Sequence, residues 1–276
     1  MNGVLEWLGI AAPTFLLVFA RCIGLTFQAP VIGSRVVPGM IRVGLALALA
    51  MVYFTTMTHA PALPNVFLAY AILLVSEVLW GMTLGFVASI VHYAMQSAGD
   101  YVAQAVGLTM MSTMNPMLRT NTTATGQMFY YLGLAVFVLA GGHLFLLGAF
   151  FQSFELVPLG GFQMTTALWG QVLNVTGALL LICVQIAMPA VIVMFLVDFA
   201  LGVINRSAPS VQNILDMVQA VKPGVGLFIV SLMIPNVVSA AHDLSERMIR
   251  DVHGAIAAEL RKPVPVASPA PPSTGR

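Results

Sequence analysis

Three ionisable side chains, Arg21, Glu77 and Asp198, stand inside long apolar stretches of the sequence. A charge at the centre of a membrane helix costs about 2.5 to 3.5 kcal/mol on the insertion scale, so it usually finds a partner inside a helix bundle. A transporter would use such groups as an ion or proton relay, whereas an assembly protein would use them as ion pairs between helices or subunits. Because the three charges are isolated on separate stretches and form no repeated relay, the sequence favours the second interpretation, in which they serve packing.

Residue patterns typical of catalytic or metal sites are missing from the sequence. It contains no pair of histidines at metal-ligand spacing, no glycine-rich phosphate loop before a lysine, and no convincing nucleophile with its base. His92 and His143 lie at or near the ends of apolar stretches, where a histidine usually has a structural role. Cys22 and Cys183 lie within apolar stretches, as small buried hydrophobic residues do. The sequence therefore predicts a protein that is not an enzyme and that binds no cofactor or metal.

A polar, methionine-rich stretch interrupts the apolar sequence, and residues 108–126 read LTMMSTMNPMLRTNTTATG. It contains four methionines and an Asn-Pro pair, namely Met110, Met111, Met114, Met117, Asn115 and Pro116. The first, third and fourth of these methionines stand at i, i+4 and i+7, which places them on one face of a helix until the proline disturbs it. Two interpretations stay open: an adaptable apolar seal, or ordinary packing in a chain that has 17 methionines.

The composition indicates a membrane protein. Hydrophobic residues make up 59% of the 276-residue chain and charged residues only 8%, whereas soluble domains carry about 25% charged residues. The net charge of +1 argues against binding of nucleic acid, which requires a basic patch. Glu6 and the lack of a basic cluster before the first apolar stretch are not typical of a cleavable signal peptide. We therefore expect the first stretch to persist as a membrane helix.

Six apolar stretches are candidates for membrane helices, because a helix of roughly 20 residues crosses a hydrocarbon core about 30 Å thick. They are residues 12–27, 43–58, 67–92, 129–151, 172–204 and 224–241. The third and fifth exceed that length, so they must tilt, bend near Pro189, or project beyond the lipid into a protein assembly. The sequence thus predicts an all-α, polytopic membrane protein whose long helices, about six in number, are arranged as hairpins.

The C-terminal part of the chain divides into two further segments after a membrane domain at residues 1–242. Over residues 243–260, apolar side chains recur every four residues, at Leu244, Met248, Val252, Ile256 and Leu260. This pattern predicts an amphipathic helix that continues from the sixth apolar stretch. Residues 261–276 are rich in Pro, Ala and Ser and cannot bury a core, so we predict a disordered tail.

The orientation in the membrane is only weakly encoded, because the positive-inside rule gives a tie. Basic residues fall equally on both sides of a six-helix arrangement. Those in the tail are far from a helix end and count less. We therefore place the loops at residues 28–42, 93–128 and 205–223 in the cytoplasm.

Four segments, taken in order, carry a resemblance to a known family. They are APVIGSRVVPGMIRVGLALALA at 29–50, EVLWGMTLGF at 77–86, GGHLFLLGAFFQSFELVPLG at 141–160 and DFALGVINRSAP at 198–209. Their order and separations resemble the FliR family of flagellar biosynthetic proteins, whose injectisome relatives are the T-type export-apparatus subunits. The resemblance extends over about residues 5–240. Within the second segment, Gly81 and Gly85 form a GxxxG spacing that permits close contact between helices.

The resemblance implies a non-enzymatic subunit of the flagellar type III protein export gate in the bacterial inner (cell) membrane. Such a subunit joins P-type and Q-type export-gate subunits in a helical, pore-forming assembly of the flagellar basal body, through which unfolded flagellar substrates pass. The implied neighbours are a switch-type export subunit (FlhB-like) and a nonameric export-gate ring protein (FlhA-like). The implied architecture is a P-like N-terminal part followed by a Q-like hairpin over about residues 170–241.

Two other functions stay open beside the flagellar one. The chain could be an injectisome export-apparatus subunit of the same family, or a secondary transporter. A transporter should show inverted repeats, discontinuous helices in paired positions and a polar site at the midplane. None of these is evident in the sequence, which favours the export apparatus.

The resemblance also implies roles for two loops. In this family the segment between the third and fourth hydrophobic regions contributes a plug to the closed pore, and here that segment is residues 106–126. Methionine suits a seal because it is apolar, unbranched and adaptable, so it can close against ions and yield to substrates. Arg206 and Lys222 flank the hairpin loop that faces the switch-type subunit on the cytoplasmic side. For these two residues, contact with that partner and topological anchoring are both open.

Overall fold

A computed structural model of the chain describes residues 2–34, 37–57, 64, 66–108, 123–162, 165–207 and 212–260. Within these ranges the chain forms seven helices and no strand. The helices are α1 (Asn2–Gln28), α2 (Gly39–Thr56), α3 (Phe67–Val106), α4 (Ala124–Leu139), α5 (Gly142–Leu156), α6 (Thr166–Ser207) and α7 (Gln212–Leu260). The predicted all-α class is confirmed.

The lengths and compositions of the helices fit a polytopic membrane protein. Helices α1, α2, α3, α6 and α7 each contain a stretch long and apolar enough to cross a membrane. A sixth span results if α4 and α5 are counted together, although they meet at an angle of 70°. The predicted arrangement of about six long hydrophobic helices is thus confirmed.

The fourth predicted span, residues 129–151, is broken rather than continuous. Helix α4 ends at Leu139 and α5 begins at Gly142. Between them, Gly141 adopts a left-handed φ of +73°, which a residue without a Cβ adopts at little steric cost. The ring of Phe137 occupies the space where a side chain at Gly142 would stand. Because the segment is mostly apolar, its sequence predicted one continuous span.

Three helices are much longer than the hydrocarbon core of a membrane is thick. Helix α3 contains 40 residues, α6 contains 42 and α7 contains 49. At 1.5 Å per residue, 40 residues extend about 60 Å, twice the roughly 30 Å of the hydrocarbon core. Helix α3 continues beyond residue 92, where its span was predicted to end, to Val106. These helices must therefore tilt strongly or extend outside the lipid.

The C-terminal part of α7, residues 243–260, continues the helix without a break. Its buried apolar side chains recur every four residues, at Leu244, Met248, Val252 and Ile256. Its charged side chains at Asp243, Glu246, Arg247 and Arg250 are exposed. Gln171 of α6 lies against Gly254, so this segment runs beside the N-terminal part of α6.

Helix α3 forms the centre of the bundle, where it contacts α1, α4, α6 and α7. Its crossing with α1 is close because both helices carry glycine there. A Cβ at Gly81 would collide with the α1 backbone, and one at Gly24 would collide with the α3 backbone. Gly85 lies against Ala29 in the same crossing. The close contact predicted from the GxxxG spacing is confirmed.

Large apolar areas lie on the outside of the bundle. In α2 only Ala46 and Ala50 are buried, and Met40 at its start is 90% exposed. Phe67 at the start of α3 is 85% exposed, and leucine, valine and phenylalanine side chains are exposed along α6. In a membrane protein such surfaces are covered by lipid or by partner proteins.

Candidate functional site

A buried ion pair joins α1 to α3. The Nε atom of Arg21 lies 2.5 Å from Oε2 of Glu77, and both side chains are 0% exposed. The glycine-lined crossing of the two helices brings these residues together, although they are 56 positions apart in the sequence. Two of the three charges identified in the apolar stretches are therefore partners of each other.

The remaining polar atoms of this pair are also satisfied. Both terminal nitrogens of Arg21 donate to the carbonyl oxygen of Val157 at 3.1 Å, and one donates to that of Ser153 at 3.2 Å. These carbonyls belong to the C-terminal end of α5, where a positive charge is favourable. The second carboxylate oxygen of Glu77 accepts from the backbone N–H of Gly160 at 2.7 Å. We call these five residues the Arg21 node.

An aromatic ring packs on the Arg21 node and contacts further rings. The guanidinium carbon of Arg21 lies 4.3 Å from the centre of the Phe154 ring, which is a cation–π geometry. Tyr53 of α2 stacks on the Phe154 ring, with the two ring centres 4.0 Å apart. Trp80, which follows Glu77 by three positions, packs against Phe162, which follows Gly160 by two. Their ring centres are 5.2 Å apart. The node thus connects α1, α3, α5 and the turn after α5, and Tyr53 brings α2 against the Phe154 ring beside it.

The third charge, Asp198, pairs with Lys222 between α6 and α7. The Nζ atom of Lys222 lies 2.7 Å from a carboxylate oxygen of Asp198, and the two side chains are 20% and 50% exposed. Lys222 lies within α7, which begins at Gln212, rather than in a loop that extends to residue 223. Arg206 is exposed in the last turn of α6. Contact of Arg206 and Lys222 with a partner protein stays a prediction.

The proposed plug residues lie outside the described residues. They are Met110, Met111, Met114, Asn115, Pro116 and Met117. The described chain stops at Leu108, just after α3, and resumes at Thr123, just before α4. The base of the methionine-rich segment can therefore be described, and its sealing role stays a prediction.

A carboxylate that the sequence analysis did not single out lies at this base. Oδ1 of Asp100 accepts hydrogen bonds from the backbone N–H of Thr123 at 2.8 Å and from its hydroxyl at 2.6 Å. The Thr123 hydroxyl oxygen in turn accepts from the N–H of Gly126 at 3.0 Å, which caps α4. Residues 93–128 were predicted to form a loop, whereas α3 extends to Val106 and carries Asp100. The threonine before the apolar run of α4 was the available signal, because threonine is a common helix N-cap.

Metal-ligating and nucleophilic side chains are scattered in the part of the chain that the structure describes. No three His, Cys, Asp or Glu side chains there lie close enough together to hold a metal ion. Cys22 and Cys183 are buried thiols. His92 is buried, with the rings of Phe137 and Tyr130 centred 5.1 and 6.2 Å from its own. Among the polar groups that the described helices bring together are those of the Arg21 node, the Asp198–Lys222 pair and the Asp100 contacts.

Comparison with known proteins relates this architecture to bacterial export. The family described as Bacterial export proteins, family 1, matches residues 12–248, which extend from α1 into α7. The flagellar biosynthetic protein FliR of Bacillus subtilis is 29% identical over 218 residues, which cover 77% of this chain and 81% of the relative. The Yop proteins translocation protein T of Yersinia pestis is 29% identical over 215 residues, or 77% of this chain and 82% of the relative.

A relative from a third system is similar over almost the same length. The secretion system apparatus protein SsaT of Salmonella typhimurium is 27% identical over 210 residues, which cover 74% of this chain and 78% of the relative. The family match covers most of the chain and contains the Arg21 node, the base of the methionine-rich segment and the Asp198–Lys222 pair. The resemblance carried by the four sequence segments is confirmed, and the chain belongs to the family of bacterial export proteins, family 1.

Proposed function

We propose that this chain is a subunit of the flagellar type III protein export gate. With P-type and Q-type subunits it forms the pore through which unfolded flagellar proteins cross the bacterial inner membrane, within the flagellar basal body. The observation that carries this proposal is the family match over residues 12–248. In this role the chain performs no covalent chemistry and needs no cofactor.

The exposed surface supports a place among other membrane subunits. Helix α2 buries only Ala46 and Ala50 within the chain, although it is long and apolar enough to span a membrane. Helices α3, α6 and α7 are longer than the hydrocarbon core is thick, so their ends can extend beyond the lipid and contact neighbouring proteins. We assign these surfaces to contacts with P-type and Q-type subunits.

The end of the α6–α7 hairpin is the proposed contact for the switch-type subunit, with the nonameric ring protein beneath it. Arg206 is exposed at the end of α6. Lys222 is engaged by Asp198 within the chain. Arg206 is therefore the better candidate for a charged contact with this partner, and Lys222 for holding the hairpin together.

The methionine-rich segment is the proposed seal of the closed pore. It follows the C-terminal end of α3, where Val106 is fully buried and packs against Gly226 of α7. A segment that leaves a packed bundle end and returns to it is well placed to obstruct a passage. Methionine side chains supply an apolar closure that different substrates can displace.

Deletion of the chromosomal gene, followed by its restoration, tests the assignment to the flagellar system. Cells without this chain are expected to export no flagellar filament protein and to be non-motile, and the intact chain should restore both. Normal motility combined with loss of secretion by an injectisome would instead assign the chain to the T-type subunits. The similarity to the Yop translocation protein is the observation that makes this second outcome worth testing.

Deletion of residues 110–117 tests the seal. The deletion and the triple change of Met110, Met114 and Met117 to Ala are expected to raise ion leak through assembled complexes. A matched triple change to Leu preserves apolar volume and should keep the leak low. Unchanged leak and export in the deletion and the Ala variant, with normal assembly, would assign these methionines to packing.

A further inference from the structure

We propose that a cleft between α6 and α7 binds one phospholipid whose headgroup carries both a phosphate and a primary ammonium group. The cleft has a volume of about 240 Å³ and lies between two helices that are each long and apolar enough to cross a membrane. Binding there depends only on insertion of the chain into a membrane, so it goes beyond the proposed export function and does not rest on it.

The two helices run antiparallel along the cleft. Asp198, near the end of α6, pairs with Lys222, near the start of α7. Gln171, near the start of α6, lies against Gly254, near the end of α7. The first end of the cleft is therefore lined by later residues of α6 and earlier residues of α7, and the second end by the reverse combination.

The chemistry of the lining side chains changes from the first end to the second. Pro189 and Met233 make the first end apolar. Asn236 adds an amide beyond them, and Asp243 and Arg247 supply charges at the second end. Apolar side chains of both helices line the wall between these groups. A phospholipid carries its groups in the same order, namely an acyl chain, ester groups and a charged headgroup.

The length of the cleft corresponds to one leaflet of a membrane. Met233 and Asp243 are ten positions apart on α7, which is about 15 Å along the helix axis. This distance is half of the roughly 30 Å of hydrocarbon core. The sixth apolar stretch of the sequence ends at residue 241, so Asp243 and Arg247 lie just beyond it. The charged end of the cleft is therefore at the level of the lipid headgroups.

The cleft encloses its occupant only in part. Its volume is below the roughly 300 to 1,000 Å³ of pockets that enclose a small molecule. Leu181, Val184 and Val238, each next in sequence to a lining residue, are exposed apolar side chains. A lipid that places one acyl chain in the cleft can therefore keep its second chain against the apolar surface of the helices.

Asp243 and Arg247 determine which headgroup fits. Both are exposed and stand one helical turn apart, and in the described part of the chain neither forms an ion pair. A guanidinium donates two hydrogen bonds to a phosphate, and a carboxylate accepts from an ammonium that carries hydrogens. Phosphatidylethanolamine offers both groups. The quaternary ammonium of phosphatidylcholine has no N–H to donate, and phosphatidylglycerol would place its negative charge beside Asp243 without a compensating ammonium.

Lipid titration of the full chain, purified in detergent, tests the site. Native mass spectrometry counts the lipids that remain bound when phosphatidylethanolamine, phosphatidylcholine or phosphatidylglycerol is added. Arg247→Gln and Asp243→Asn each remove one charge of the cleft. Arg250→Gln and Glu246→Gln are the matched controls, because both residues are exposed on the same helix and neither lines the cleft.

The wild-type chain is expected to retain one phosphatidylethanolamine about tenfold more tightly than either other lipid, since only this headgroup satisfies both charges. Arg247→Gln should weaken that binding about tenfold, and Asp243→Asn should remove most of the preference for phosphatidylethanolamine. Both controls should bind as the wild type does. Equal retention of the three lipids by the wild type would overturn the site, and so would equal binding by Arg247→Gln and Arg250→Gln.

Photo-crosslinking in cells tests which molecule occupies the cleft in the membrane. The photoreactive residue p-benzoylphenylalanine replaces Ala240, which lines the cleft, or Ala257, which is exposed on the same helix outside it. An adduct with the mass of phosphatidylethanolamine at position 240, and a much smaller yield at position 257, is expected. Adducts at position 240 with another protein alone would overturn the proposal, because a partner subunit would then cover the cleft. If the chain with the change at position 240 does not accumulate, the titration of the charge variants decides.

Discussion

Two ion pairs join neighbouring helices of this chain in contrasting surroundings. Arg21 and Glu77 are 0% exposed, and carbonyl groups and a backbone N–H complete their hydrogen bonding. Lys222 and Asp198 are 20% and 50% exposed. Arg21, Glu77 and Asp198 look alike in the sequence as isolated charges in apolar stretches, so burial and hydrogen bonding are what distinguish the two pairs.

The energetic contribution of an ion pair depends on its surroundings. Removal of one partner from a buried pair leaves the other charge without solvent or counter-ion, which costs about 3 to 5 kcal/mol. A pair that water reaches loses only about 0 to 1 kcal/mol, because water replaces the lost partner. The node around Arg21 should therefore control stability of the chain, whereas the pair on the hairpin should have a small effect.

The largest effect is expected from Arg21→Ala. The change leaves Glu77 charged and buried and the carbonyl of Val157 without its donors, so it should lower the free energy of unfolding by about 3 to 5 kcal/mol. Thermal unfolding of the purified chain in detergent measures the loss. The double change Arg21→Met, Glu77→Leu should cost less than the single one, and equal costs would show that the ion pair is not the cause.

A smaller effect is expected from Gly81→Ala, which alters how closely the helices of the buried pair cross. Its Cβ would collide with the backbone at Arg21 and lie 2.9 Å from the N atom of Leu25, so a loss of about 1 to 3 kcal/mol is expected, as for overpacked cores. Gly148→Ala on α5 is the control, since no neighbouring atom lies within 4 Å of its Cβ position. A loss at residue 148 equal to that at residue 81 would contradict the argument from close crossing.

Gly160→Ala tests the backbone donor of the buried pair. Gly160 has a left-handed φ of +77°, which costs a residue with a Cβ about 1 to 2 kcal/mol. The change should lower the unfolding free energy by this amount and weaken the hydrogen bond to Glu77. Gly160→Asn should be milder, because asparagine tolerates this conformation better. If Gly160→Ala is as stable as the wild type, residue 160 does not need the left-handed conformation.

The smallest effect is expected from Asp198→Asn on the exposed pair. It should cost at most about 1 kcal/mol, and raised salt should reduce the difference because exposed charges are screened. A cycle with Lys222→Met measures the coupling between the two residues by thermal unfolding. The same cycle is then measured in the assembled gate. If the coupling between Asp198 and Lys222 there is as large as that between Arg21 and Glu77, a partner subunit buries the pair and the two pairs no longer differ.

The elements of the fold were predictable where the signal was local. Apolar stretches indicated the positions of the membrane helices, and GxxxG spacing indicated the contact through Gly81 and Gly85. The break at Gly141 was not predictable from apolar composition, because a glycine within an apolar run is compatible with a continuous helix or a turn. The extension of α3 to Val106 was missed because residues 93–106 include polar side chains that indicated a loop.

The candidate site was less accessible to sequence reasoning than the helices. Arg21 and Glu77 were singled out by their charge, but their pairing depends on how α1 crosses α3. Asp100 was missed because one carboxylate near a polar stretch has no distinguishing pattern, and its partner Thr123 follows 23 positions later. Hydrogen bonds over such separations are set by helix packing, to which no local sequence pattern corresponds.

Contiguous residues were sufficient to predict the membrane class, the approximate number of helices and the family, because apolar length, glycine spacing and ordered motifs are local properties. The packing of the helices was needed to show that Arg21 is satisfied by Glu77 and the end of α5, that Asp198 pairs with Lys222, and that Asp100 accepts hydrogen bonds from Thr123 at the start of α4. The physical reason is that the free energy of a charge depends on its burial and its partners. Both arise only when distant helices pack together.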